Sequence, residues 1–228
     1  MKRCPENLIN CSGEPIHVPN RAVLVCNGSL DTKWLYPNIQ KGDFIVAVDG
    51  GANKLMKTSF RPDAIIGDMD SITKAAAKKF RFAEFVRFPR EKAQVDLELA
   101  INYCLAKGFG EILILGALGS RADMALTNVF ILSQVPEGVK ASIVHENQEI
   151  FLVPKKFPME GVPGEVVSFF PIGGDVRGLS LRGFKYGLDN YDLRFGTGIG
   201  VSNEFKSKKA SISFKDGLLL CVHFHKWL

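Results

Sequence analysis

The stretch Phe44-Ile45-Val46-Ala47-Val48-Asp49-Gly50-Gly51 joins a run of strand-forming residues to an acidic, glycine-rich turn, and the same succession returns at Ala64-Ile65-Ile66-Gly67-Asp68-Met69-Asp70-Ser71. Two further runs, Glu84 to Phe88 and Glu111 to Leu115, lead into Pro89 to Asp96 and Gly116 to Asp123. Strands that alternate with helical segments specify a parallel sheet of right-handed βαβ units. In such open sheets ligands bind beyond the carboxyl ends of the strands. Asp49, Asp68, Asp70, Asp96 and Asp123 are therefore expected to face one pocket.

Upstream, Val23 to Cys26 reads as a first strand closed by Asn27-Gly28. Helices are expected around Thr73 to Phe80, from Asp96 to Gly108, and from Met124 to Gln134. In the second of these Leu97, Ala100, Ile101, Cys104 and Leu105 recur at helical spacing on one face. After Ser142 to Val144 the alternation stops. Short apolar or alternating runs follow at Ile150 to Val153, Val166 to Phe170, Ala210 to Phe214 and Leu218 to Phe224, separated by Gly and Pro clusters, as in a β-sandwich. The expected fold is α/β: an N-terminal Rossmann-like parallel sheet with flanking helices over residues 21–146, then a C-terminal β-sandwich domain over 147–228. Residues 1–20 read as an N-terminal arm.

The chain has 228 residues, of which 46% are hydrophobic and 23% charged, enough for a full core and unlike a disordered segment. The 5 cysteines are scattered without a C-x-x-C pair, which fits a cytoplasmic location. No apolar run approaches the roughly 18 residues of a membrane span, and no signal-peptide pattern follows Lys2-Arg3. The net charge of +5 is dispersed and not interleaved with aromatics, which favours a nucleotide over a nucleic acid.

Asp68 and Asp70 sit on one tight turn, and Asp96 opens a helix across the same sheet edge. Oxygen-rich clusters of this kind suit Mg2+, which usually takes one or two protein carboxylates and completes its shell with phosphate oxygens and water. Singly, each aspartate is more often a helix cap. Several like charges on one edge repel, however, and capping gives them no reason to converge. Gly50 and Gly51 permit close approach of backbone to a ligand. Neither G-x-x-x-x-G-K-[ST] nor G-x-G-x-x-G is present, so a nucleotide site would be built without either device.

These segments, Val48-Asp49-Gly50-Gly51-Ala52-Asn53, Pro62 to Ile72, Asp96-Leu97-Glu98-Leu99-Ala100 and Gly116 to Asp123, resemble in order and spacing the thiamine pyrophosphokinase family. Gly183-Phe184-Lys185-Tyr186 and Gly200-Val201-Ser202-Asn203-Glu204 resemble that family's thiamine-binding β domain. The resemblance implies transfer of a pyrophosphoryl group from ATP, the co-substrate, to the hydroxyl of thiamine, releasing AMP. It further implies a homodimer with the active site at the subunit interface. By position it makes Asp68, Asp70 and Asp96 the catalytic Mg2+ ligands. Asp49, Gly50, Gly51, Lys92, Arg121, Asp123 and Asn128 become ligand-binding residues, with Ser202 and Asn203 toward thiamine.

The chain departs from the family pattern where Ala93-Gln94-Val95-Asp96 replaces an acid, a spacer, Thr and Asp, and where Ser120 and Met124 stand for Gly and His. Two alternatives follow from the residues. Asp68-x-Asp70 is also the spacing of a haloacid-dehalogenase-type phosphatase, and the departures suit a non-catalytic thiamine or nucleotide sensor. Lys92 reads equally as a phosphate contact or a solvated loop residue. Tyr186 is expected to be half-buried packing. His223 and His225 share a strand face and, with no third ligand evident, are expected to face solvent, as are Lys206, Lys208 and Lys209.

Overall fold

A computed structural model describes residues 20–91 and 93–226. They fall into two compact units: one takes the described residues up to Gly116 together with Pro136–Lys140, the other takes Ala117–Val135 and the described residues from Ala141 onward.

The first unit is built on a parallel sheet. Its strands are β1 (Arg21–Val25), β2 (Phe44–Val48), β3 (Ala64–Gly67), β4 (Glu84–Arg87) and β5 (Glu111–Leu115), and its helices are α1 (Leu35–Asn38), α2 (Gly51–Leu55), α3 (Lys74–Lys79) and α4 (Asp96–Ala106). The spatial order is β4-β3-β2-β1-β5, so β1 lies between β2 and β5 and the chain reverses direction across the sheet there. Ala22, Val23, Leu24 and Val25 are fully buried, as are Ala64, Ile65 and Ile66. A parallel strand covered on both faces reads as continuous apolar sequence, not as alternation, which is why these short runs were legible. Helix α4 packs on β2 and β3, and α2 on β1 and β2. All the strands point the same way, so Asn27, Asp49, Asp68 and Gly116 follow their carboxyl ends along one edge.

The second unit holds α5 (Ala122–Ile131), a 3-10 turn at Leu132–Gln134, β6 (Lys140–His145) from its second residue, β7 (Gln148–Val153), β8 (Lys156–Glu160), β9 (Val166–Arg182), β10 (Leu188–Leu193), β11 (Asn203–Glu204), β12 (Lys209–Ser213) and β13 (Asp216–Phe224). The organising element is β9, 17 residues long. Its first half pairs with β13 and β11; its second half pairs with β12 and β10. Gly173 (φ 70°) and Gly174 (φ 155°) lie between the halves, in backbone conformations that side-chain-bearing residues rarely adopt. Val167, Phe169, Val176, Leu179, Leu181, Phe184, Phe205, Ile212 and Leu219 form the core. The Phe184 ring meets Phe169 edge-on at 5.4 Å and Phe205 at 5.1 Å.

The strand read at Val166 to Phe170 is thus far longer, because Pro171 and the glycines at 173, 174 and 178, which read as turn signals, are carried inside the strand as a bend. Helices α1 and α2 and strands β8, β10 and β11 were not anticipated. β8 contains Pro158 and lies at the end of its sheet, where a missing N–H is tolerated. β10 is largely exposed, so it carries no apolar run.

The tightest approach in the first unit predicts a sharp sensitivity. A Cβ on Gly51 would stand 1.8 Å from the Val25 carbonyl oxygen, a backbone atom that cannot swing away. Gly51→Ala should lower the stability of the folded chain by about 1–3 kcal/mol, seen as a reduced urea midpoint. An unchanged midpoint would mean that α2 is not seated on β1 as described.

Candidate active site

Asp49 leaves β2 with a positive φ of 44°, and its N–H donates to the Ile66 carbonyl at 2.7 Å, fixing the turn to the end of β3. The side chain is 8% exposed, and its Oδ1 is buried without a hydrogen-bond partner among the described residues. Behind it, Gly50 packs on Asn27: a Cβ there would lie 2.4 Å from Asn27 Nδ2. Gly67 (φ 150°) does the same service on the other side, since a Cβ on it would meet Asp49 Cβ at 2.8 Å and Asp96 Oδ1 at 3.4 Å. Gly67 therefore makes room for the Asp49 and Asp96 side chains to close on one another, and Gly50 lets the turn pack on Asn27.

The loop after Gly67 is held in shape by its own polar groups. Asp68 Oδ1 accepts the Asp70 N–H at 3.0 Å, and Met69 adopts φ 69°. Asn53 of α2 donates from Nδ2 to the Ser71 carbonyl at 2.8 Å, and its Oδ1 accepts both the N–H (3.0 Å) and the hydroxyl (2.9 Å) of Thr73. Thr73 in turn caps α3, accepting the Ala76 N–H. Val95 occupies the cap position of α4 and Arg121 that of α5, neither with a side-chain cap bond. Asp70, Asp96 and Asp123 are thus not at the N-cap positions themselves, and Asp96 and Asp123 stand instead within the first turns of α4 and α5.

Asp49, Asp68 and Asp96 each offer a carboxylate oxygen, and these oxygens lie within 4.8 Å of one another. Burial pushes the Asp49 carboxyl above its usual range, and the neighbouring charges of Asp96 and Asp68 add to the shift. An orphaned buried oxygen, a strained carboxylate and an all-oxygen donor set fit a hard divalent cation of the Mg2+ class. Asp70 stands at the rim, exposed, accepting the Ser71 hydroxyl at 2.9 Å and facing Arg90 at 3.7 Å. Ala93, where the family pattern has an acid, is exposed. Lys92 lies outside the described residues, as do residues 1–19 of the expected arm.

The remaining expected site residues belong to the second unit. Arg121 and Asp123 are exposed and engage each other through two bonds, one of them Nε to Oδ1 at 3.1 Å. Asn128 is buried and donates from Nδ2 to the Ala117 carbonyl at 2.7 Å, holding the turn that leads into α5, while its Oδ1 has no partner among the described residues. Ser202 is exposed at φ 56°, its N–H bound to Ser168 Oγ. Asn203 is 1% exposed, and its side chain is committed to backbone: Oδ1 accepts from Tyr186 and Glu204, and Nδ2 donates to the Tyr186 carbonyl.

Two expectations are corrected here. Tyr186 is 59% exposed instead of half-buried, because it lies in the loop before β10 and not in a strand, its backbone held by Asn203. His223 does not face solvent: it is 3% exposed and lies 2.9 Å from Glu165 Oε2, and His225 lies 3.3 Å from Glu149. The signal was present in the sequence, since Leu219 and Cys221 precede the histidines on the same face of β13 and point into the core. The lysines at 206, 208 and 209 are exposed, as expected.

With this geometry in view, comparison with known proteins is direct. The model of the thiamin pyrophosphokinase catalytic domain matches residues 37–144, and that of the thiamin pyrophosphokinase vitamin B1 binding domain matches 154–219. Thiamine pyrophosphokinase of Bacillus subtilis (strain 168) is 31% identical over 182 residues, covering 78% of this chain and 85% of that protein. Thiamin pyrophosphokinase 1 of Caenorhabditis elegans is 27% identical, covering 99% and 92%. A crystal structure of thiamine pyrophosphokinase from Bacillus subtilis superposes with a TM-score of 0.82 at 25% identity, covering 91% of this chain and 100% of that one. The yeast thiamin pyrophosphokinase structure, at 20% identity and TM-score 0.75 over 92% of this chain and 88% of its own, has the same fold. Both halves of the family's pattern are matched in order, and the chain belongs to the thiamine pyrophosphokinase family.

Proposed function

We propose that this protein is an ATP-dependent thiamine pyrophosphokinase, transferring the pyrophosphoryl group of ATP to the hydroxyl of thiamine to give thiamine diphosphate and AMP. The observation that carries the reading is the convergence of Asp49, Asp68 and Asp96 at the carboxyl edge of a sheet whose sequence matches that family's catalytic domain. The phosphatase and sensor alternatives find no support in the relatives.

In the reaction the thiamine hydroxyl oxygen bonds to the β-phosphorus of ATP as the bond from that phosphorus to the bridging oxygen of AMP breaks, and the hydroxyl proton is released to solvent. Asp49, Asp68 and Asp96, whose oxygens converge, are the residues that would hold Mg2+, and Asp70, which the family resemblance adds to the set, stands at the rim one residue from Asp68. When bound, Mg2+ orients the phosphates and offsets the charge that develops on the β-phosphoryl group and the departing AMP. The protein's own contribution is to bring the carboxylates together before substrate arrives. Gly50 and Gly51 hold the backbone close to the substrate's phosphates. Arg121 and Asp123 bind substrate, with Lys92 and Asn128 assigned to the same task, Asn128 by positioning the Ala117 turn. Ser202 meets thiamine, and Asn203 acts by fixing the corner on which Ser202 stands. A cationic thiazolium is suited to the acidic edge.

The functional division is placed at 21–146 for ATP and Mg2+ and 147–228 for thiamine. A homodimer that completes its active site at the subunit interface is supported by apolar side chains exposed around Ser202: Phe195 (63%), Ile199 (44%) and Val201 (40%). A cytoplasmic location is supported by the buried free thiols of Cys26, Cys104 and Cys221. Among the described residues no helix is long and apolar enough to cross a membrane.

AMP release from ATP and Mg2+ should depend on added thiamine, and Asp70→Ala should nearly abolish it with the fold intact by circular dichroism. Turnover close to the unmodified protein's in that variant would sink the assignment of Asp70. Crowded carboxylates also make a stability prediction. The raised Asp49 carboxyl means that the metal-free fold holds its proton more tightly than the unfolded chain, so this contribution is present at low pH and lost as pH rises through the shifted value. Mg2+ should restore it: the increase in Tm on adding Mg2+ should be larger at pH 7 than at pH 4.5, and Asp96→Asn should shrink it. Finally, Phe195→Asp should convert a dimer to a monomer by sedimentation and cut turnover. A dimer that persists in that variant would remove this surface from the interface.

A further inference from the structure

We propose that Glu165, His223 and His225 form a second metal site, for a zinc-class divalent ion, separate in chemistry from the carboxylate edge. The three residues each offer one ligand atom, and these lie within 4.8 Å of one another. Tetrahedral zinc with bonds of about 2.0–2.1 Å wants its ligand atoms roughly 3.3 Å apart, so the 2.9 Å His223–Glu165 pair would open slightly to admit the ion between them. Two imidazoles with one carboxylate suit zinc, copper or nickel and do not suit Mg2+, which prefers oxygen throughout.

The surroundings resemble a built site more than an accident of packing. Glu165 is 3% exposed and both its oxygens are fixed: Oε1 accepts the Lys226 N–H at 2.7 Å, and Oε2 accepts the Val162 N–H at 2.9 Å beside His223 Nε2. His223 is equally buried and is flanked by the Phe205 ring at 5.1 Å and the His225 ring at 4.0 Å. Glu149 on the neighbouring strand β7 lies 3.3 Å from His225 Nε2, so ligation through His225 Nδ1 would leave a carboxylate on the opposite ring nitrogen, as metal-ligating histidines usually have.

Occupancy would join three separate stretches of chain. Glu165 carries the turn whose Gly164 N–H donates to the Phe205 carbonyl and whose own carbonyl accepts the Phe205 N–H, so a metal there would also fix the Ser202–Asn203 corner just ahead of Phe205. The site does not depend on the catalytic reading, and its test reads binding and not turnover.

The full chain, stripped with a chelator and kept in excess Mg2+ to occupy the carboxylate edge, is titrated with Zn2+ by calorimetry and with Co2+ by visible absorption. One equivalent of Zn2+ should bind and raise the Tm, and Co2+ should give the ligand-field bands of a nitrogen-containing tetrahedral site. His225→Asn, at the more exposed ligand, should abolish the binding with the fold retained by circular dichroism. Glu149→Gln, which leaves all three ligands, should weaken it about 10–100-fold. Failure of Zn2+ to bind, or binding of the same strength in His225→Asn, would overturn the proposal and leave the cluster a purely structural hydrogen-bonded pair.

Discussion

The carboxyl edge of the parallel sheet depends on how nearly the ends of β1, β2 and β3 can approach one another. Like-charged carboxylates held within 4.8 Å gain nothing by themselves, and with Asp49 Oδ1 buried and without a partner among the described residues they cost stability. What keeps them there is backbone: the Asp49 N–H on Ile66, Gly51 against the Val25 carbonyl, and Gly67 without a side chain between Asp49 and Asp96. The buried apolar strands supply the free energy that this strained edge consumes. A charge-bearing ligand is the natural counterpart of an arrangement that the protein alone leaves unsatisfied.

Much of this was legible in the sequence. The strands at Phe44–Val48 and Glu111–Leu115 are where the residues indicated, because buried parallel strands announce themselves as unbroken apolar runs. Of the five aspartates expected to share one pocket, those at 49, 68 and 96 converge, while Asp70 stands exposed at the rim and Asp123 lies in α5 of the second unit. Harder to read was which carboxylate would turn inward. Asp70 and Asp68 stand one residue apart, and the choice between them rests on the bond from the Asp70 N–H to Asp68 and on the anchoring of the loop by Asn53, whose partners lie some 20 residues on at Ser71 and Thr73.

The second unit was less legible for a different physical reason. Its strands pair across long separations, so Pro171 and the glycines of β9 have meanings that only their partners disclose. Pro171 lies opposite Leu219 in a strand, where local rules alone assign a turn. The burial of His223 likewise depends on Glu165, 58 residues earlier in the chain. A buried imidazole is acceptable once its partner carboxylate is itself held by backbone N–H groups, and that pairing is invisible in the alternation of β13 alone.

The sharing of β9 between two sets of strands has a consequence for how the second unit comes apart. Most small β structures can fray from one sheet inward, with each lost strand leaving the other sheet whole. Here β13 and β11 hold one end of a single 17-residue strand, and β12 and β10 hold the other. Releasing either half removes one set of partners and opens the phenylalanine core that residues of both halves share. Loss of structure is therefore expected to be cooperative across both sets of strands, with little cleavable backbone exposed before the core opens.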